Sequence, residues 1–146
     1  MDIRQVTPDF AVADQVTADD LPRLKELGYN TLICNRPDGE TAGQPAAEAL
    51  AEQAHAEGFN WAWIPISSGN FTEQAITDFG AALARHPQPV LAFCRTGTRS
   101  ITLWALSRAS QQPAAELLQQ CAAAGYDLSA HSERLNERYL SRDNKG

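Results

Sequence analysis

The sequence predicts an α/β fold of three layers: a mostly parallel four- to five-stranded sheet flanked by helices. Two patterns carry this expectation. Short apolar runs of strand length alternate with longer helical patterns, the order produced when crossover helices join parallel strands. The two stretches richest in loop chemistry, 35–44 and 94–99, each follow an apolar run directly, where ligand-binding loops lie in open parallel sheets. A third observation concerns size. The chain has 146 residues, enough to bury about 70% of its unfolded surface in one core. No linker, repeat or change of composition divides 1–146, so one domain is expected.

Strands are expected over 3–6, 10–13, 31–34, 61–66 and 90–93, each an apolar or β-branched run bounded by turn residues. Thr17 reads as a helix N-cap with Asp20 three residues on, Leu21, Leu24 and Leu27 recur at helical spacing, and Gly28 supplies the stop. Pro45 opens a second, alanine-rich helix that ends at Gly58. Thr72 caps a third with Ile76, Phe79 and Leu83 inward, and His86-Pro87 ends it. Helices over 101–109, 113–124 and about 129–140 follow the Cys94 loop, and the tail 142–146 is expected to fray.

Composition excludes several function classes. The net charge of −6 argues against nucleic acid as a partner, since binding phosphates without regard to sequence needs a basic surface. No run approaches the roughly 18 apolar residues of a membrane helix, so no membrane partner is expected. The first residues lack a basic and then apolar leader, which points to the cytoplasm. Cys34, Cys94 and Cys121 are an odd number without close spacing and do not form a disulfide framework. Cys34 and Cys121 sit in apolar patterns and read as inert core residues, with a resolving role left open for Cys34. Thiols and histidines show no metal-ligand spacing, so no metal and no cofactor are expected. His55, His86 and His131 read as solvated or capping residues, and Trp61 and Trp63 face the same side of a strand.

The chemistry concentrates in Cys94-Arg95-Thr96-Gly97-Thr98-Arg99-Ser100. An apolar strand ends in a cysteine, a short turn follows, and an arginine opens a helix. A thiolate at that position is stabilised by the positive end of the helix dipole and by inward-pointing backbone N–H groups, while Arg99 adds a full charge. Gly97 permits the backbone angles such a nest requires. Cys94 is therefore the expected nucleophile and Arg99 its anion-binding partner. Arg95, Thr96, Gly97, Thr98 and Ser100 are expected to contact substrate, with Ser100 able to donate a hydrogen bond to the thiolate. Arg36, in a second loop with turn chemistry, is expected to wall the same site. A small positive site on an acidic body suits a small anion.

Four residues separate Cys94 from Arg99, a Cys-x4-Arg pattern. The loop resembles those of cysteine enzymes in which tyrosine phosphatases use Cys-x5-Arg around phosphate and rhodanese sulfurtransferases commonly use a loop one residue shorter. Other motifs resemble the phosphatase-like domain of beta-lactamase hydrolase-like proteins: Phe10-Ala11-Val12-Ala13, Leu32-Ile33-Cys34-Asn35-Arg36-Pro37-Asp38-Gly39-Glu40, Gly43-Gln44-Pro45 and the Cys94 loop itself. The resemblance spans roughly 8–110 and implies a tyrosine-phosphatase-like fold. Some members of that family are associated with persulfide handling.

Two chemistries compete, with a third reading behind them. A phosphatase attacks phosphorus through the thiolate and needs an acid for the leaving oxygen, usually an aspartate on a separate loop. The stretch 65–72 holds no aspartate, so only Asp38 is available, if its loop folds over Cys94. Sulfur transfer needs no such acid: the thiolate takes a sulfane sulfur from thiosulfate or a low-molecular-weight persulfide and passes it to a thiol acceptor. The shorter loop favours the rhodanese-like sulfurtransferase. Hydrolysis of a phosphate ester through a phosphocysteine is the alternative. A module that captures a persulfide or anion without turnover is the third.

Overall fold

The computed structural model describes residues 1–142; residues 143–146, most of the tail expected to fray, lie outside the described residues. Five strands form one sheet: β1 (Ile3–Thr7), β2 (Phe10–Ala13), β3 (Thr31–Cys34), β4 (Asn60–Trp63) and β5 (Val90–Phe93). Their order is β1-β2-β5-β3-β4, with β1 antiparallel to β2 and every other pair parallel. This is the expected mostly parallel five-stranded sheet.

Alternation along each strand builds a core on both faces. Phe10, Val12, Ile33, Val90 and Ala92 face one cluster, which is covered by α3 (Glu73–Arg85), α4 (Thr98–Arg108), α5 (Ala114–Ala123) and α6 (Ser132–Leu140). Ala11, Ala13, Leu32, Cys34, Leu91 and Phe93 face the other, covered by α1 (Leu21–Glu26) and α2 (Ala47–Ala56). A fully buried Phe93 or Leu91 contributes about 1.5–3 kcal/mol relative to exposure. Three layers result.

Register places the site. Ala13 and Cys34 both pair with Phe93, and Trp63 pairs with Cys34. The parallel strands therefore end at one level, and Asp14, Cys94, Asn35 and Ile64 leave the sheet along the same edge. The two motif loops meet there because the strand ends do.

Several boundaries differ from the pattern-based expectation. The first helix opens as a 3-10 turn, Ala18–Asp20, in which the Thr17 N–H donates to Asp20 Oδ2 at 2.8 Å; the α-helical part is only Leu21–Glu26. Helix α2 starts at Ala47 rather than Pro45, because Asp38 Oδ1 accepts from the Ala47 N–H at 2.8 Å and fixes the first turn there. Strand β4 ends at Trp63 instead of running to 66: Ile64 and Ile66 still donate to Cys34 O and Asn35 O, donors two positions apart on acceptors one apart, so the regular parallel register is lost there. Helix α4 begins at Thr98, one residue before the arginine expected to open it and three before the run expected over 101–109. Its residues from Ser100 to Leu106 are all buried, so no amphipathic stripe marks its opening.

Candidate active site

Cys94 lies immediately beyond β5, and its sulfur is fully buried against the loop that follows. Its backbone N–H donates to Ala13 O at 3.3 Å, tying the loop to β2. The Gly97 N–H donates to Cys94 Sγ at 3.0 Å. Gly97 is also the N-cap of α4 with φ +91°, a left-handed angle that lets the chain turn straight from the loop into the helix while its N–H points back at the sulfur. A β-carbon there would run into the Tyr126 hydroxyl. The mouth of α4 and the Gly97 N–H thus converge on one sulfur.

Arg99, in the first turn of α4, makes a two-pronged ion pair with Glu40: Nη1 to Oε2 at 2.8 Å and Nη2 to Oε1 at 2.9 Å. Nη1 also donates to Ile66 O at 2.8 Å. Arg36 Nε binds the same Glu40 Oε1 at 2.9 Å, while its other nitrogens donate to Gln15 Oε1 and Thr41 Oγ1. The two guanidiniums, Arg99 first, hold the Glu40 carboxyl down at about 2. Glu40 in turn holds Arg99 more firmly protonated, and the charge of Cys94 acts in the same direction. Three of the five Arg99 donors are engaged by this clasp, and Nε–H and one Nη2 hydrogen lie outside it.

Asn35 binds the strand ends together. Its N–H donates to Phe93 O at 2.8 Å, its Nδ2 to Ile64 O at 2.9 Å, and its Oδ1 accepts from Ser100 Oγ at 2.8 Å. Both side chains are fully buried. The Ser100 proton is therefore directed at Asn35 rather than at the thiolate, and Ser100 anchors α4 to β3. Asp38 points its carboxylate at α2. Arg36 is 4% exposed, so its contact with the site runs through Glu40. The Trp63 ring closes this loop from outside, donating from Nε1 to Arg36 O at 3.0 Å.

The remaining loop residues form the rim. Thr96 and Thr98 share a hydroxyl hydrogen bond of 3.0 Å, and Arg95 is exposed. Tyr126 donates from its hydroxyl to Thr96 O at 2.9 Å, bracing the loop from behind. Cys34 and Cys121 are buried, and that burial pushes each thiol up to about 12, away from thiolate chemistry. Among the described residues no group of three or more His, Cys, Asp or Glu side chains could hold a metal ion. Nor is any helix among them long and apolar enough to cross a membrane.

Pattern reading misses Glu40, Asn35, Tyr126 and His131. Glu40 and Asn35 stand inside the quoted 32–40 motif, yet nothing local reveals that they face α4. His131, expected as a solvated or capping residue, is half-buried and sits in a cleft wall beside Arg95 and Arg99.

Known proteins share this sequence pattern and fold. The beta-lactamase hydrolase-like protein of Agrobacterium fabrum (strain C58) is 35% identical over 105 residues, covering 72% of this chain and 24% of that protein. Its namesake in Xylella fastidiosa (strain Temecula1) is 33% identical over 107 residues, covering 73% of this chain and 25% of that protein. The chain thus spans about a quarter of the length of the curated relatives it matches. A candidate phosphatase of known crystal structure from Neisseria meningitidis Z2491 superposes with a TM-score of 0.83 at 31% identity, covering 94% of this chain and 99% of that one. A glycine-to-alanine mutant form of Tk-PTP has a TM-score of 0.76 at 13% identity, covering 99% and 97%, and shares the tyrosine-phosphatase-like fold. These likenesses support the phosphatase-like reading and give no support to the rhodanese-like one. Residues 2–111 match the beta-lactamase hydrolase-like protein, phosphatase-like domain, and the chain belongs to that family.

Proposed function

We propose that this chain is a cysteine-dependent phosphatase that hydrolyses small phosphate monoesters through a Cys94 phosphocysteine. The observation that carries the reading is the Gly97 N–H aimed at Cys94 Sγ at the mouth of α4, with Arg99 alongside. The thiolate attacks phosphorus, an S–P bond forms, and the P–O bond breaks with its electron pair leaving on oxygen. Water then attacks the phosphocysteine, releases inorganic phosphate and restores the thiolate. Loop N–H groups and the free Arg99 donors stabilise the negative charge spread over the phosphoryl oxygens.

The site's carboxylates shape the substrate preference. Asp38 is bound to the Ala47 N–H, and Glu40 is bound to two arginines. Neither is placed as a proton donor. Leaving groups that depart without a proton, such as aryl oxides or phosphates, are therefore favoured over alkoxides.

The same absence supports a second reading, sulfane-sulfur transfer. The Cys94 thiolate would attack the outer sulfur of thiosulfate, expel sulfite and become a persulfide, which an acceptor thiol relieves of its outer sulfur. The four-residue spacing between Cys94 and Arg99 favours it as well. One experiment separates the two: purified protein and its Cys94→Ser variant are assayed with p-nitrophenyl phosphate, thiosulfate and glutathione persulfide side by side. Cys94-dependent release of p-nitrophenol supports the phosphatase. Turnover of the sulfur donors alone transfers the assignment to sulfur chemistry, and no turnover of any donor leaves an anion-capturing module.

A further inference from the structure

The cleft beside the Cys94 loop is larger than one tetrahedral anion requires. Its volume of about 620 Å³ lies within the range of small-molecule sites. It runs from Arg99 and Thr102 on α4, past Arg95, to Ser68, Phe71 and His131. The far wall is built rather than incidental: the His131 ring stands edge-on to Phe71 with 5.6 Å between centroids. At the rim Arg95 is exposed, and among the described residues it has no ion-pair partner.

The charges point to a ligand with more than one negative group. Three guanidiniums, those of Arg36, Arg95 and Arg99, gather at this edge, and the single carboxylate paired among them is Glu40, shared by Arg36 and Arg99. Of the three, only Arg95 and Arg99 line the cleft, and Arg95 is the one not paired to Glu40. An anion at Cys94 engages the Arg99 donors and leaves Arg95 unanswered. On the His131 side, ring nitrogens and the exposed Ser68 hydroxyl add hydrogen-bonding groups, and the Phe71 face between them is apolar.

We propose that this cleft binds a second oxyanion of the substrate, held by Arg95, His131 and Ser68, while Phe71 packs against the spacer between the two anions. The ligand class is an organic phosphate that carries a further phosphate or carboxylate group. The proposal rests on the reading that Cys94 attacks an anion bound in its loop. It adds that substrates are selected by what lies beyond the reacting group.

The test uses the Cys94→Ser protein, which cannot turn over, and isothermal titration calorimetry. Methylphosphonate serves as the single-anion probe; alkane bisphosphonates and phosphonocarboxylates with spacers of one to four carbons serve as the two-anion probes. The best two-anion probe is expected to bind at least about tenfold more tightly than methylphosphonate, the worth of one charge-assisted hydrogen bond. That advantage is expected to shrink to less than about threefold in Arg95→Gln and in His131→Gln, each checked for native folding by circular dichroism. A bisphosphonate winner assigns a second phosphate, and a phosphonocarboxylate winner assigns a carboxylate. Two-anion probes no tighter than methylphosphonate, or an advantage untouched by both substitutions, would overturn the subsite. The loop reading fails separately, if methylphosphonate affinity does not fall in Arg99→Ala.

Discussion

Glu40 and Arg99 lie 59 positions apart in the chain, yet they form a two-pronged ion pair with both contacts under 3 Å. The pair bridges the loop after β3 and the first turn of α4, and the buried Arg36 completes it. A carboxylate thus fixes the plane of the Arg99 guanidinium, so its remaining donors are oriented in advance.

Glu40→Gln removes the charge and leaves Arg36 buried beside a neutral amide. Stability near neutral pH is expected to fall by about 1 kcal/mol, a modest loss because Glu40 is partly solvated. The sign of the pH dependence follows from the depressed folded-state value of about 2 against an ordinary 4.5. The carboxylate's contribution is fully present above 4.5 and is lost as pH falls through 2. Urea denaturation should show a wild-type advantage that is constant in neutral buffer, narrows below 4.5 and closes near 2. An advantage as large in strong acid as at neutrality would mean that the ion pair does not carry it.

Gly97→Ala places a β-carbon against the Tyr126 hydroxyl at a left-handed backbone angle. The expected cost is about 1–3 kcal/mol of stability, together with a shift of the N–H that faces Cys94. Iodoacetamide labelling of Cys94 should slow in the variant under native conditions. Unchanged labelling would show that the Gly97 N–H does not stabilise the thiolate.

Ser100→Ala strips the Asn35 carbonyl oxygen of its buried donor, and stability should drop by about 1–3 kcal/mol. The double variant Asn35→Ala/Ser100→Ala should lose less than the sum of the two single losses, since the orphaned partner is gone as well. Additive losses in thermal denaturation would contradict a coupled pair.

Asp38→Ala should lose about 1 kcal/mol of stability, the usual worth of a helix cap, while turnover of an aryl phosphate is retained. A large fall in turnover with little change in stability would restore Asp38 as the leaving-group acid.

Much of this architecture is legible in the sequence because its signals are local. The run Val90–Phe93, the cysteine after it, Gly97 and Arg99 stand within ten positions, and their chemistry can be read without knowing the rest of the fold. Contacts between distant positions are not legible that way. Glu40 looks like the end of a polar turn until the 35–44 loop folds across the strand ends, and Tyr126 reaches Thr96 from 30 positions away. The period of α4 is hidden for another reason: a helix buried from Ser100 to Leu106 has no polar face to reveal it.

In the proposed reaction Cys94 forms the covalent intermediate. Acid-quenched intact-mass spectrometry, after brief mixing with p-nitrophenyl phosphate, tests it most directly. One added phosphoryl group is expected on Cys94 in the wild type and none in Cys94→Ser. Hydrolysis that proceeds with no adduct on Cys94, or that persists at the wild-type rate in Cys94→Ser, would contradict it.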